Sequence, residues 1–145
     1  MITKSAGVII FRREGDSIYY LLLNYTAIGK VEKTYWGFAK GTIEKGEKEI
    51  DTIIREVAEE TGIKDLKFID GFKETEEYFF KHGGETVFKT VCYLLAETKT
   101  KEINLSFEHL GFEWLPYEET LEKLTFKNAK EILEKANGCL SKKGL

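Results

Sequence analysis

The first part of the chain consists of short apolar runs separated by turn residues. Residues 5–13 and 18–24 are both rich in aliphatic and aromatic side chains, and Glu14-Gly15-Asp16 separates them. A glycine beside an aspartate between two such runs is typical of a tight turn. The pattern therefore predicts two strands joined as a hairpin, followed by a loop over residues 25–35.

The middle of the chain changes from a helical to an extended pattern. Apolar positions recur at helical spacing over residues 48–61, which predicts one helix. Strand-like runs follow at residues 66–80 and 86–97, with the turn Lys-His-Gly-Gly between them.

The last part of the chain predicts a short strand and then helix. The strand is expected at residues 113–115, and an amphipathic pattern over residues 117–136 predicts one or two helices that end at Asn137-Gly138. Strands on both sides of a central helix predict an α/β (α+β) fold with a mixed sheet covered on both faces. We expect one domain over residues 1–145.

The composition limits the kinds of partner. The net charge is −3 and the isoelectric point is about 5.6, so the overall charge does not attract nucleic acid. No apolar run approaches the roughly 20 residues needed to cross a bilayer, and the N-terminus lacks a cleavable signal pattern. Cys92 and Cys139 fit no metal-binding spacing, which is typical of reduced thiols. We therefore expect a cytoplasmic protein with no membrane partner.

Three carboxylates share one face of the predicted central helix. Glu56, Glu59 and Glu60 lie at positions i, i+3 and i+4, so they project to the same side. Their mutual repulsion would be relieved by a hard divalent cation, which prefers carboxylate oxygens. The neighbouring apolar face, which can be buried, consists of Ile50, Ile53, Ile54 and Val57. The alternative is an acidic surface that is only solvated.

The residues around this helix favour the metal-site interpretation. Gly41 and Gly46 indicate a loop with special backbone needs, and Gly62 is placed where a helix ends on a left-handed residue. Arg55 points away from the apolar face and can pair with Glu47, which would tie the loop to the helix. A helix face that is only solvated needs none of these features.

The same segment resembles a family signature. Residues 41–63 read GTIEKGEKEIDTIIREVAEETGI, which matches the Nudix box at every specified position. The matching positions are Gly41, Glu47, Arg55, Glu56, Val57, Glu59, Glu60, Gly62 and Ile63. The resemblance implies an α/β/α sandwich that hydrolyses a nucleoside diphosphate linked to another group, with Mg²⁺ or Mn²⁺ as cofactor.

The resemblance also implies roles for individual residues. The expected metal ligands are Glu56, Glu59, Glu60 and the carbonyl oxygen of Gly41. The expected catalytic residues are Arg55, Glu56, Glu59 and Glu108, the last from a loop outside the box. Which glutamate accepts the proton stays open, because this varies within the family. Glu47 and Gly62 are expected to be structural.

Outside the box, the chain resembles the asymmetrical diadenosine tetraphosphate hydrolases of this family. The matching segments include SAGVIIF, LLLN, IDGF, FKTVCYLLAE, LSFEHLGFEWLP and FKNAKEIL. Lys45 and Phe38-Ala39 replace prolines that occur in this subfamily. These positions shape the cleft entrance, so they affect substrate preference more than reaction type.

Substrate contacts are expected from the strands near the box. Alternation puts Lys89 and Tyr93 on one strand face, where a lysine can neutralise polyphosphate and a tyrosine can stack on adenine. The resemblance implies the same roles. The expected substrate-binding residues are Lys40, Tyr78, Lys89, Tyr93 and His109. Aromatic residues in strands are mostly core, so a packing role for Tyr93 stays open.

The expected function is Mg²⁺-dependent hydrolysis of diadenosine tetraphosphate to ATP and AMP by a monomer. One alternative is removal of pyrophosphate from the 5′ end of RNA, or cleavage of another nucleoside diphosphate derivative. The low isoelectric point argues against long RNA, which needs several phosphate contacts. A non-catalytic nucleotide sensor is a third alternative, but such proteins usually lose the box carboxylates, which are all present here.

Overall fold

The computed structural model describes residues 1–26 and 34–144, and within them the chain forms eight strands and three helices. The strands are β1 (Ile2–Glu14), β2 (Ser17–Thr26), β3 (Thr34–Gly37), β4 (Ala39–Thr42), β5 (Lys67–Phe68), β6 (Glu74–His82), β7 (Glu85–Glu97) and β8 (His109–Pro116). The helices are α1 (Glu49–Thr61), α2 (Tyr117–Lys123) and α3 (Lys127–Lys142). None of the helices so described is long and apolar enough to cross a membrane.

The strands form one mixed sheet, as expected. Its main path runs β3-β2-β1-β7-β5, while β4 pairs with β1, β8 with β2 and β6 with β7. The β1–β7 pair is parallel and the other pairs are antiparallel. A parallel pair of strands needs a long connection. The connection between β1 and β7 contains α1, so the helix that carries the three glutamates is part of the crossover that forms the sheet.

The core lies on both faces of the sheet. Alternate residues of the central strands face opposite sides, so Ile9 and Phe11 of β1 pack with Leu133 of α3, whereas Val8 and Ile10 pack with α1. Strands that are apolar on both faces must be covered twice. The predicted α/β/α sandwich is therefore confirmed.

The predicted loop over residues 25–35 is wrong at both ends. Strand β2 continues to Thr26 and β3 begins at Thr34, with Tyr25 opposite Tyr35 in the antiparallel register. The two tyrosine rings stack at a centroid distance of 4.9 Å. Pairing between strands thus extends both elements beyond the apolar runs, while residues 27–33 of this prediction lie outside the described residues.

Two further boundaries differ from the sequence predictions. The run 66–80 is split into β5 and β6 by a turn at Asp70-Gly71, where Gly71 has a φ of 87°. Strand β8 begins at His109 rather than at residue 113, because it pairs with β2 along most of its length.

The predicted helix end at Asn137-Gly138 is also wrong. Helix α3 continues to Lys142, because Leu140 is buried in the core and the Asn137 side chain accepts a 2.7 Å hydrogen bond from the Tyr20 hydroxyl. Gly138 faces open space. Tertiary contacts thus outweigh a helix-propensity cost of about 1 kcal/mol for one glycine.

The predicted apolar face of α1 is half correct. Ile53 and Val57 are buried, but Ile50 and Ile54 are 43% and 50% exposed. The buried stripe is rotated toward the acidic side of the helix and includes Glu60. This rotation removes the Glu60 carboxylate from water.

Candidate active site

An ion pair joins the loop before α1 to the helix, as the sequence predicts. Arg55 donates from Nε to Glu47 Oε2 at 2.9 Å and from Nη2 to Glu47 Oε1 at 3.0 Å. Arg55 also donates to the carbonyl oxygen of Thr42 at 3.2 Å. Hydrogen bonds from Arg55 and then from the Glu44 backbone lower the pKa of Glu47 to about 2. The loop is therefore fixed against the helix by a two-point contact.

Gly41 and Glu56 make the closest approach between the loop and the helix. A Cβ atom built on Gly41 would lie 2.2 Å from Glu56 Cδ, a distance that no side chain can occupy. Arg55 Nη1 donates to Glu56 Oε1 at 2.7 Å. Burial raises the pKa of Glu56, opposed by Arg55, and the neighbouring Glu60 carboxyl group raises it further. A glycine is required at position 41 for Glu56 to keep this position, whereas Gly46 and Gly62 have positive φ angles of 85° and 80°.

The three glutamates of α1 differ in burial, and only two of them lie side by side. Glu60 is buried beside Glu56, and its Oε2 atom has no hydrogen-bond partner among the described residues. The Glu59 side chain is 62% exposed and lies 3.8 Å from Arg55. Within residues 1–26 and 34–144, no group of three or more His, Cys, Asp or Glu side chains is arranged to hold a metal ion.

The Glu56–Glu60 pair nevertheless fits a hard divalent cation. Mg²⁺ usually keeps several waters and takes only one or two carboxylates from the protein. Two adjacent carboxylates and the close backbone of Gly41 offer that donor set. The residues present therefore match the cofactor expected from the sequence, with Glu59 outside the central pair.

The C-terminal end of α1 is capped by the segment that leads to β8. Gly62 donates its N–H to the Ala58 carbonyl at 3.0 Å, and Ser106 donates its N–H to the Glu60 carbonyl at 3.0 Å. Glu108 lies exposed in the turn that follows, next to His109. The His109 side chain is buried and does not line the cavity described next.

A cavity of about 540 Å³ lies beside the carboxylates. Its lining residues are Tyr25, Tyr35, Trp36, Gly37, Phe38, Lys40, Glu76, Tyr78, Tyr93, Phe126, Lys127, Asn128 and Ala129. Lys40, Tyr78 and Tyr93 among them were predicted from the sequence. Tyr35 and Phe126 were missed, although Tyr35 stands just before the box and Phe126 begins the segment FKNAKEIL.

Aromatic rings form the walls of this cavity. Tyr35 stacks on Tyr25 with a 7° angle between ring planes, and its centroid lies 5.3 Å from that of Phe126. Tyr78 also lines the cavity, while Tyr93 is almost fully buried and packs edge-on against Phe38 at 5.9 Å. Tyr93 thus belongs to the core and also lines the cavity.

Two lysines, one of them lining the cavity, are close enough for their charges to interact. Burial lowers the pKa of Lys40, the positive charge of Lys89 lowers it further, and the charges of Glu76 and Glu60 oppose both effects. Burial also lowers the pKa of Lys89, opposed by Glu76. Lys89 is opposite Tyr78 in the strand register but does not line the cavity itself. Two partly desolvated cations at this position favour an anionic ligand.

Comparisons with known proteins agree with this geometry. A family model for the NUDIX domain matches residues 1–136. The chain is 35% identical to bis(5′-nucleosyl)-tetraphosphatase (asymmetrical) of Mus musculus, over 94% of this chain and 95% of that protein. A crystal structure of a C. elegans Ap4A hydrolase binary complex superimposes with a TM-score of 0.78 at 29% identity, covering 96% of this chain and 98% of that one. An RNA pyrophosphohydrolase of Bartonella tribocorum is 32% identical over 53% of this chain and 43% of that protein.

Proposed function

The chain belongs to the Nudix family and is a hydrolase that acts on phosphoanhydride bonds, and on that premise we propose that it cleaves diadenosine tetraphosphate to ATP and AMP. The observation that carries this proposal is the position of the Glu56–Glu60 carboxylate pair, of which Glu60 is buried, beside a cavity lined by aromatic rings and lysine. A dinucleoside polyphosphate has the matching parts. Its bases can stack on aromatic rings, and its phosphate chain can bind lysines and a metal ion.

Glu56, Glu60 and the carbonyl oxygen of Gly41 would hold the divalent cation, which we propose is Mg²⁺, with Mn²⁺ as a substitute. When bound, the ion supplies positive charge that polarises a phosphoryl oxygen and lowers the pKa of water. Arg55 keeps Glu56 oriented and holds the Gly41 loop in place through Glu47. Gly62 serves the same site by capping α1, which ends at Thr61, one residue after Glu60.

A carboxylate must accept the proton of the attacking water. Glu56 and Glu60 are adjacent to each other and Glu56 is engaged by Arg55, so we assign this role to Glu59, whose side chain is exposed. Glu108 is the second candidate, because it is exposed in the turn beside the C-terminal end of α1.

The cavity would bind one nucleoside and the start of the phosphate chain. Tyr78, Tyr35 and Phe126 offer ring faces or edges for adenine, and Tyr93 closes the inner end. Lys40 and Lys89 would neutralise phosphates between this base and the carboxylates. We further propose that the protein works as a monomer on small dinucleoside polyphosphates.

The test is product analysis by anion-exchange chromatography after incubation with Mg²⁺ and diadenosine tetraphosphate. Equal amounts of ATP and AMP are expected, and none after addition of EDTA or with the Glu60→Gln variant. ADP as the only product would overturn the asymmetrical reaction. No cleavage, together with activity on another nucleoside diphosphate derivative, would overturn the substrate.

A second candidate is hydrolysis of the 5′-triphosphate end of RNA, favoured by the similarity to the Bartonella protein over half of this chain. This reaction predicts steep loss of affinity between about 50 and 200 mM salt, since long RNA makes several phosphate contacts. A small dinucleotide predicts a shallower dependence. Measuring KM for both substrates across that salt range separates the two candidates.

A further inference from the structure

His109 occupies an unusual position for a histidine. It begins β8, and its side chain is 3% exposed, enclosed by the Tyr25 ring and the Glu60 carboxylate. Its Nε2 atom lies 3.3 Å from Glu60 Oε2, and its ring centroid lies 4.7 Å from that of Tyr25 at an interplanar angle of 85°. The side chain does not line the cavity, so its position supports a different role from the substrate contact expected from the sequence.

The backbone holds His109 against α1 from two directions. Ser106 donates its N–H to the Glu60 carbonyl at 3.0 Å, and His109 donates its own N–H to Ser106 at 3.2 Å. In the sheet, His109 is paired with Tyr25, where the β2–β8 register shifts between Asn24 and Tyr25. Such irregularities re-aim a side chain, and here the imidazole ring faces the carboxylate.

Tyr25 prevents the ring from turning away. Its hydroxyl donates to the Phe38 carbonyl at 2.7 Å, and its ring is stacked on Tyr35. The tyrosine is therefore held at both its hydroxyl and its ring face. His109 is confined between this fixed ring and Glu60.

The polar atoms of this contact are left without partners. Among the described residues, neither ring nitrogen of His109 nor Oε2 of Glu60 makes a hydrogen bond, although Nε2 and Oε2 are close. A buried polar group without a partner costs about 1–3 kcal/mol, and a bond that is close but misaligned is common in a catalytic site before its ligand binds. An energetic cost of this size favours a functional role for Glu60 Oε2 and the His109 ring nitrogens.

We propose that His109 is a positioning residue that orients Glu60 toward the divalent cation, an inference that rests on the metal site of the proposed function. With its proton on Nε2, the imidazole ring donates to Glu60 Oε2. This contact fixes the rotation of the carboxylate and leaves its other oxygen for the cation beside Glu56. Partners of this kind, which hold a metal ligand without touching the metal, typically contribute 10–100-fold to metal affinity.

The test measures Mn²⁺ affinity by electron paramagnetic resonance in the absence of nucleotide. His109→Leu, which keeps bulk but loses the donor, should weaken Mn²⁺ binding by about 10–100-fold. His109→Gln, which keeps an N–H donor at a similar distance, should stay within about threefold of wild type. The chain has only two histidines, and His82, at the exposed end of β6, gives the matched control His82→Leu. That variant should bind Mn²⁺ like wild type.

Wild-type Mn²⁺ affinity in a folded His109→Leu variant, or an equal defect in the Leu and Gln variants, would overturn the proposal. If His109→Leu does not fold, the wild-type protein supplies the test through its two imidazole proton signals. Substoichiometric Mn²⁺ should broaden the His109 signal and spare that of His82, and equal broadening of both would contradict the assignment. Because no nucleotide is present, a wrong substrate leaves these results unchanged, whereas a wild-type protein that binds no Mn²⁺ overturns the metal site itself.

Discussion

The carboxylate end and the cavity end of the site are built in opposite ways. The carboxylate end comes almost entirely from residues 41–62, where an ion pair, a glycine contact and a helix cap fix the side chains over a short stretch of chain. The cavity end is assembled from β2, β3, β4, β6, β7 and α3, which are far apart in the sequence. A short continuous segment such as the carboxylate end can keep one reaction type across a family. The cavity end, whose residues come from many elements, can differ between substrates.

The two ends also differ in the sign of the like charges that each brings together. Burial and the neighbouring Glu60 raise the pKa of Glu56 against the opposing effect of Arg55, whereas burial and Lys89 lower the pKa of Lys40 against the opposing effects of Glu76 and Glu60. A cation at the first end and a polyphosphate at the second would relieve the repulsion that these partners only partly offset. Variants at the two ends should separate turnover from substrate binding.

Loss of a carboxylate from the central pair should have the largest effect. Glu60→Gln keeps the size of the side chain but removes the charge, so we expect the fold to persist and kcat to fall by at least about 100-fold. Steady-state kinetics with a melting curve measures both quantities. Turnover within about threefold of wild type would exclude Glu60 as a metal ligand.

Crowding the carboxylate end should have the next largest effect. In Gly41→Ala the new methyl group would collide with Glu56, and a displacement of about 1 Å in a catalytic group can cost on the order of 100-fold in rate. The matched control is Gly138→Ala, since Gly138 lies in α3 with open space around it. The control should keep full activity and gain a little thermal stability. Equal activity in both variants would show that the close approach at Gly41 is unimportant.

A change at the lysine pair should affect binding more than turnover. A hydrogen bond to a charged group contributes roughly 1.5–3 kcal/mol, so Lys89→Met should raise KM by about tenfold or more while kcat stays within about threefold. Lys81→Met is the control, because Lys81 is exposed on the neighbouring strand β6. A fall in kcat with KM unchanged would place Lys89 at the carboxylate end instead.

A change remote from both ends should alter stability alone. Burial would raise the pKa of Asp65, but hydrogen bonds from Thr98, Lys99 and Thr100 outweigh it and hold the pKa below its usual value. Asp65→Ala should lower the free energy of unfolding by about 1 kcal/mol after solvent screening, with normal kcat.

The stabilisation by Asp65 should also depend on pH. A carboxylate with a lowered pKa stabilises the fold above the unfolded-state pKa, near 3.8, and loses this contribution as the pH falls through its folded-state value. Urea denaturation should therefore show a larger difference between wild type and Asp65→Ala at pH 6 than at pH 3. An equal difference at both pH values would show that the ionised carboxylate contributes nothing.

Sequence reasoning worked best where neighbours along the chain set the structure. The β1–β2 hairpin follows from its turn residues, and α1 begins at Glu49 and ends at Thr61, one residue from the predicted start and at the predicted end. The predictions failed where a residue pairs or packs with residues that are distant in the sequence. Tyr25 and Tyr35 extend strands because they pair with each other, and α3 passes Gly138 because Leu140 and Asn137 contact the core.

The sequence by itself determined the family, the ion pair of Arg55 with Glu47, and the positions of the glycines, because a helix of fixed period and a short loop leave these residues few other places. Only the tertiary structure decided that Glu60 is buried while Ile54 is exposed, and that His109 meets both Glu60 and Tyr25. The rotation of α1 about its axis depends on what the sheet offers to pack against. Contacts between residues that are distant in the chain are fixed by that packing, which no local pattern records.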